Sequence, residues 1–432
     1  MERMSLSPTL SQENAAPVRR SADWLRAGEW LFLLFVLAIA SYALSLQPRA
    51  QSLAWYLAYL GALGLFLLRY GAFLGGLWIA VPLLLWPLIA ALSFFWSDSP
   101  GHTARAAVQL TMTVCISVYL GSRFTLFDLT RALFIVLTFA GLLSLAAIVA
   151  QLGFAYDLNG VARGIFPHKN VLGGRMLLLL ICCLVLFAVG WRRLAVGLAA
   201  AMALALVAFS QSGTSLVMVV ALAVLAPLLL SWHAPAPLRF IAYVLAAMLA
   251  ACGLWVLFAF DVDPVGLALD ALGKERTLTG RSILWNYAEG LIAERPLLGS
   301  GFDAFWNGGD GSAARYVQSL LRQEVKNFHN SYLDIWVQLG LAGLVVTGLF
   351  LLCFAWRAVA LLQRQRSALA ALPLFYLAFV MAYSLSEYAL FRQHSLIQIL
   401  LGALYVSAAL ALPRQRPGPR RRQTSPASWQ ET

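Results

Sequence analysis

"NFHNSYLDIWVQLGLAGLVVTGLFLLCFAW", residues 327–356, decides the fold class of this chain. The 22 residues after Asp334 carry no charge. An α-helix rises about 1.5 Å per residue, so about twenty apolar residues cross a hydrocarbon core of roughly 30 Å. Comparable runs recur outward from this one, near 29–46, 53–68, 72–96, 104–121, 129–153, 171–190, 194–210, 213–231, 238–260, 331–356, 367–391 and 394–412. With 61% hydrophobic and 12% charged residues, the chain reads as an all-α, polytopic membrane protein with about twelve transmembrane helices. The expected organisation is a tail over 1–28, nine spans within 29–260, a large exported segment over 261–329, three spans within 330–412 and a tail over 413–432. The polar start runs into an apolar stretch too long for a signal h-region, so the first span reads as a retained anchor.

Lys and Arg placement gives an orientation. With a cytoplasmic N-terminus and twelve spans, 18 of the 31 bases and six of the 19 acids fall on the inner side, which accounts for the whole net charge of +12. Both termini are then cytoplasmic. The basic balance is explained by topology, and a nucleic-acid partner gains no support from it. The Arg-rich tail after Pro413 reads as a disordered topology anchor or lipid-surface contact. All five cysteines fall inside expected spans, which implies neither disulfides nor a metal site.

Three connections are unusually polar: residues 154–170, the "SQSGTS" turn at 210–215, and 261–329. The last is too long for a structureless loop and carries a helical pattern of its own. In "RSILWNYAEGLIAERP", Leu284, Tyr287, Ala288, Leu291 and Ile292 share one face, with Thr279 as a cap and Pro296 at the end. "SAARYVQSLLRQ" is a second short amphipathic piece. Either could lie flat on the membrane or cover a cavity.

Within these segments sit the candidate site residues. His329 stands at a membrane boundary, where a neutral imidazole can accept a proton from a hydroxyl; the plainer alternative is a hydrogen bond to a neighbouring loop. Asn330 and Asp334 follow it, one helical turn apart on a shared face. An acid just inside a span is costly, so Asp334 either serves the site or pairs with a nearby arginine. "GVARGIFPHKNVLGGRMLL" supplies Arg163, His168, Lys169, Asn170 and, inside the next span, Arg175. These form a cationic cradle for phosphate or, alternatively, side chains reaching toward headgroups. In "KERTLTGRSILW", Arg276 and Arg281 flank a helix start, where free N–H groups favour an anion; a salt bridge to Glu275 or Asp270 is the alternative. Together the residues describe a membrane-level site with several cations, one histidine and no metal ligands, suited to a lipid-linked pyrophosphate and a hydroxyl acceptor.

"FPHKNVLGG", "SQSGTSLV", "LTGRSILWNYAEGLIAERPLLGSGFDAFW" and "FHNSYLDIWVQLGLAGL", in that order, resemble the O-antigen ligase and Wzy-type polymerase superfamily, closest to its exopolysaccharide polymerase branch. The resemblance implies a GT-C-like glycosyltransferase of the bacterial inner membrane with a helical periplasmic loop domain and a periplasmic active site, needing neither cofactor nor metal. It implies an undecaprenyl-pyrophosphate-linked glycan donor, a glycan or lipid A–core acceptor, surrounding membrane lipids and a chain-length regulator as a further partner. His329 matches the histidine implicated as base, Arg163 with Gly174 a loop pattern of Arg, ten residues and Gly, and Arg281 the arginine that holds pyrophosphate. Two features depart from the family: the long loop has no second Arg-ten-Gly pattern, and Gln338 stands where an acid is common. A flippase for lipid-linked glycans is the alternative from another class; it would carry its cations along a pore, whereas the span interiors here are nearly charge-free.

Overall fold

A computed structural model describes residues 16–44, 46–259, 281–307, 313–321 and 325–412. Its regular elements are helices: α1 (Ala16–Ser41), α2 (Pro48–Leu68), α3 (Tyr70–Ile79), α4 (Val81–Leu92), α5 (Pro100–Arg123), α6 (Leu126–Val149), α7 (Lys169–Ala188), α8 (Arg193–Ser210), α9 (Gly213–Leu230), α10 (Ala236–Ala259), α11 (Arg281–Glu294), α12 (Ala313–Leu321), α13 (Ser331–Arg364), α14 (Leu372–Tyr383) and α15 (Leu396–Ala411). Among the described residues eight helices are long and apolar enough to cross a membrane, or nine if a bent pair is one span. Three shorter apolar helices occupy the stretches expected as the ninth, eleventh and twelfth spans. Length and apolarity thus support a multi-pass membrane protein, with eight or nine candidate spans and three shorter apolar helices among the described residues, where about twelve spans are expected.

Two expected spans are not straight. The stretch 72–96 divides at Ala80 into two pieces bent by 86°. Pro82, in the first turn of α4, accounts for the break at Ala80: it has no amide hydrogen for the carbonyl of Trp78, and its ring would clash with that carbonyl in a continuous helix. The carbonyl of Ile79, freed by the break, accepts a hydrogen bond from Arg357 at 3.0 Å. In α13 the ladder is interrupted at Gly340, whose φ of 63° and ψ of −162° lie outside helical backbone. The segment "PLLGSG" lines up against that gap: Ser300 and Gly301 donate to the carbonyls of Val337 and Gln338, while Leu341 and Ala342 donate to those of Pro296 and Leu297. Irregular backbone is tolerated at membrane depth only where protein satisfies it. A Cβ on Gly340 would stand 2.2 Å from the carbonyl carbon of Leu297, so this approach requires glycine.

The helices within the long polar segment before α13 form where the pattern places them. Leu284 and Ala288 of α11 are buried with Phe305, Ala314, Val317, Val325, Phe328 and Val337, so α11 and α12 share a small core seated on the start of α13. Its location next to "FHN" fixes the position of His329. The "SQSGTS" turn packs on α7: a Cβ on Gly173 would meet Ser215 Oγ at 2.3 Å. That motif serves close helix packing.

The ends of α2 and α5 converge on Glu29 of α1, which is fully buried. Arg26 and Arg123 of α1 and α5, and Arg69 after α2, all hydrogen-bond its carboxylate. Arg26 also lies 3.7 Å from Asp128, at the start of α6. A capping box between Thr125 and Asp128 starts that helix. The other end of α6, its 24 residues or about 36 Å away, leads into the polar loop that carries Arg163 and His168.

Candidate active site

The carboxylate of Glu387 organises this opposite end. It lies in the loop 384–395 between α14 and α15, although 367–391 reads as a single span in the sequence; the helix stops at Tyr383. Ser331 holds the loop down: its amide donates to the carbonyl of Ser384, its hydroxyl donates to that of Glu387, and its Oγ accepts from the amide of Ala389.

Three expected site residues meet Glu387. Asn170 Nδ2 donates to Oε1 at 2.7 Å, and Arg281 donates to the same oxygen at 3.1 Å. His329 Nδ1 stands 3.6 Å from Oε2, within ion-pair reach but beyond a hydrogen bond. Burial alone would raise the Glu387 carboxyl; His329, Arg281 and Asn170 outweigh it and hold the group below the ordinary carboxylate value.

His329 is fixed from both sides. Its φ of 51° is left-handed, a strained region for a residue with a Cβ. The side chain of Asn327 accepts from its amide, and Trp285 of α11 donates to the carbonyl of Phe328. The carboxylate of Asp334, fully buried, accepts from the amide of Phe328 and from Trp306 Nε1. Asp334 therefore neither pairs with an arginine nor faces the site directly; it anchors the backbone that presents His329. Asn330 is the N-cap of α13 and accepts from the amides of Tyr332 and Leu333.

The cationic loop distributes its residues unevenly. His168 is the N-cap of α7, its Nδ1 accepting from the Asn170 amide. Burial holds its imidazole below the ordinary value, with the Glu387 charge pushing the other way. The ammonium of Lys169 lies 4.0 Å from Asp157. Arg163 donates to the carbonyls of Phe154 and Pro167, folding its own loop, and none of its hydrogen bonds reaches Glu387. Arg175 is only 6% exposed, and its Nε has no partner. Beside it, Gly174 lies against Tyr383, whose hydroxyl donates to the carbonyl of Asn170. Arg276 lies outside the described residues, as do the alternative partners Asp270 and Glu275; Arg281 pairs with Glu387 instead.

Sequence reasoning missed Glu387. An acid inside an apparent span was the available signal, since an ionisable group at membrane depth is costly unless it has partners. Gln338, a departure from the family pattern, accepts through its side chain from the amide of Asp303 and latches the loop that follows "PLLGSG".

Comparison with known proteins bears on this geometry. An O-antigen ligase family model matches residues 198–348, a range that includes Arg281 and His329. The exopolysaccharide production protein ExoQ of Rhizobium meliloti (strain 1021) is 30% identical over 340 residues, covering 72% of this chain and 73% of that protein. The chain belongs to the O-antigen ligase/Wzy-type family. Membership makes it a multi-pass membrane protein of a glycan-transferring family and lends nothing to a flippase. Glu387, Asn170 and Arg175 lie outside the range of the family model, so their place in the site rests on the geometry.

Proposed function

We propose that this protein transfers a glycan from an undecaprenyl-pyrophosphate donor to a sugar hydroxyl, on the periplasmic side of the bacterial inner membrane, with His329 as general base. The convergence of His329, Arg281 and Asn170 on Glu387 carries this reading. With Glu387 beside Nδ1, that nitrogen keeps its proton and Nε2 is left to accept one. The acceptor oxygen gives its proton to Nε2 as it attacks the anomeric carbon. The bond from that carbon to the pyrophosphate oxygen breaks, and the lipid pyrophosphate leaves with the electron pair. Glu387 then faces an imidazolium at 3.6 Å, a separation that closes to a hydrogen bond with a shift of a few tenths of an ångström.

Arg281 and Arg175 take the charge that develops on the leaving group, with Arg163, Lys169 and, on the sequence pattern alone, Arg276 as further pyrophosphate ligands; no metal is required for this. Arg175 lies six residues into α7, about 9 Å from its start, the depth of a phosphate drawn to the membrane boundary. Preorganised cations of this kind supply the larger part of such a rate enhancement. The partners are a lipid-linked donor, a growing polysaccharide or lipid A–core acceptor, and a chain-length regulator. The name of the ExoQ relative favours exopolysaccharide as the product.

Glycan transfer by purified protein in detergent, without compartments, tests the reading. His329→Ala is expected to lower the rate by about 10²–10⁴. Arg281→Ala is expected to lower it by about 10²–10³. Near-normal product from His329→Ala would remove the base from the scheme.

A further inference from the structure

We propose that Arg131, Trp191 and Arg192 form a binding site for the phosphodiester of an anionic phospholipid, at the end of α6 and α7 remote from His329. Arg131 stands just inside α6, near the Glu29 end. Its guanidinium lies over the rings of Phe127, Trp191 and Trp30 at 5.3, 5.7 and 6.0 Å. Arg192 approaches Trp191 as well, at 5.5 Å, and Arg193 lies 5.7 Å from Phe187. One indole is thus shared by two cations.

Among the described residues none of these three arginines has a carboxylate within ion-pair distance, and Arg131 Nε is buried without a hydrogen-bond partner. The neighbouring acid on α6, Asp128, is engaged by Thr125 and Arg26. Aromatic faces attract a guanidinium but leave its N–H groups unsatisfied and its charge uncompensated. Gathering such cations within reach of one ring costs repulsion, which an anion relieves.

A phosphodiester fits better than a carboxylate from this chain, because the described residues offer none. Arg192 also occupies the N-cap position of α8, whose start has no side-chain cap, so free amides add to the field. A lipid is favoured over a soluble phosphate because α6, α7 and α8 are candidate spans with their ends here. Phe187, Leu194 and Leu198 are exposed beside the cations, as an acyl-chain surface would be. Tryptophan beside arginine at a span end is the composition of the headgroup level.

Native mass spectrometry of the full chain in detergent, with phosphatidylglycerol or phosphatidylcholine added at equal concentration, tests the proposal. The wild type should retain phosphatidylglycerol selectively. Arg131→Gln and Arg192→Gln should each lower that retention roughly fivefold, while Arg239→Gln, an exposed arginine elsewhere, leaves it unchanged. Arg192 is exposed, so its variant keeps the test open if Arg131→Gln fails to fold. A melting curve with inorganic phosphate in place of lipid separates the two sources of the anion. Equal retention of both lipids, wild-type retention by both arginine variants, or full thermal stabilisation by inorganic phosphate alone would each overturn the lipid site.

Discussion

Glu29 draws three guanidinium groups, two of them from distant parts of the sequence, and Glu387 draws one from a distant helix, at opposite ends of the bundle. At Glu29 the carboxylate accepts from Arg123 twice, at 2.8 and 3.1 Å, from Tyr119 at 3.0 Å, and from Arg26 and Arg69 at 3.3 Å each. It is wholly buried, and every acceptor direction is filled. At Glu387 one oxygen accepts from Asn170 and Arg281, the other faces His329 across 3.6 Å, and 15% of the side chain is exposed. Nearby, His329 Nδ1 and Arg175 Nε are buried without hydrogen bonds. The first cluster ties α1, α2, α5 and α6 together. The second leaves polar groups unsatisfied, which is a cost to stability that a substrate can recover.

The largest stability effect should come from the saturated cluster. Glu29→Gln removes the anion while three arginines stay behind, 24–37% exposed. Breaking a buried pair from one side costs about 3–5 kcal/mol, and the partial exposure of the arginines points to the lower end. Thermal melts of purified protein in detergent should therefore fall sharply for Glu29→Gln and little for Glu387→Gln. Similar losses from both would erase the distinction between glue and site.

Glu387→Gln should separate them in the other direction, through activity. A carboxyl held below its ordinary value contributes stability that is present above the unfolded value and lost as pH falls through the folded one. If transfer requires ionised Glu387, the acid limb of the wild-type rate profile lies below the ordinary carboxylate range. Glu387→Gln should lower the rate by about tenfold to a hundredfold and abolish that limb. An unchanged limb in the variant would assign it to another group.

The same contrast separates the features that are local in sequence from those that only the fold brings together. The spans and the helices α11 and α12 are periodic, and periodicity is local, so their apolar faces were legible. His329 stands out as a polar residue at a boundary with an apolar run, and Arg281 as a cation at the start of a helical pattern. Their meeting point does not. Glu387 sits in a stretch whose hydropathy continues a span, and only the early end of α14 at Tyr383 puts it in a loop. The Glu29 cluster likewise joins residues 26, 29, 69 and 123, and nothing in one dimension pairs them. The break at Gly340 was hidden for a different reason. An uninterrupted apolar run predicts a continuous helix, and the segment of backbone that replaces the missing hydrogen bonds lies about forty residues earlier.

Asn330 provides the finest cut, because it adjoins the proposed base yet is spent on the backbone. Its side-chain oxygen accepts from the amides of Tyr332 and Leu333, so Asn330→Ala leaves two donors bare at the start of α13. Loss of such a cap typically costs about 1 kcal/mol, and Asn330→Ser should restore most of it. His329 is also held through Phe328, by Asp334 and Trp285, so it should keep its orientation when the cap is lost. The expected outcome is a small drop in melting temperature and less than a tenfold loss of transfer. A loss as deep as that of His329→Ala, with serine failing to rescue it, would mean that the amide touches substrate. The boundary between scaffold and site would then run one residue further into α13.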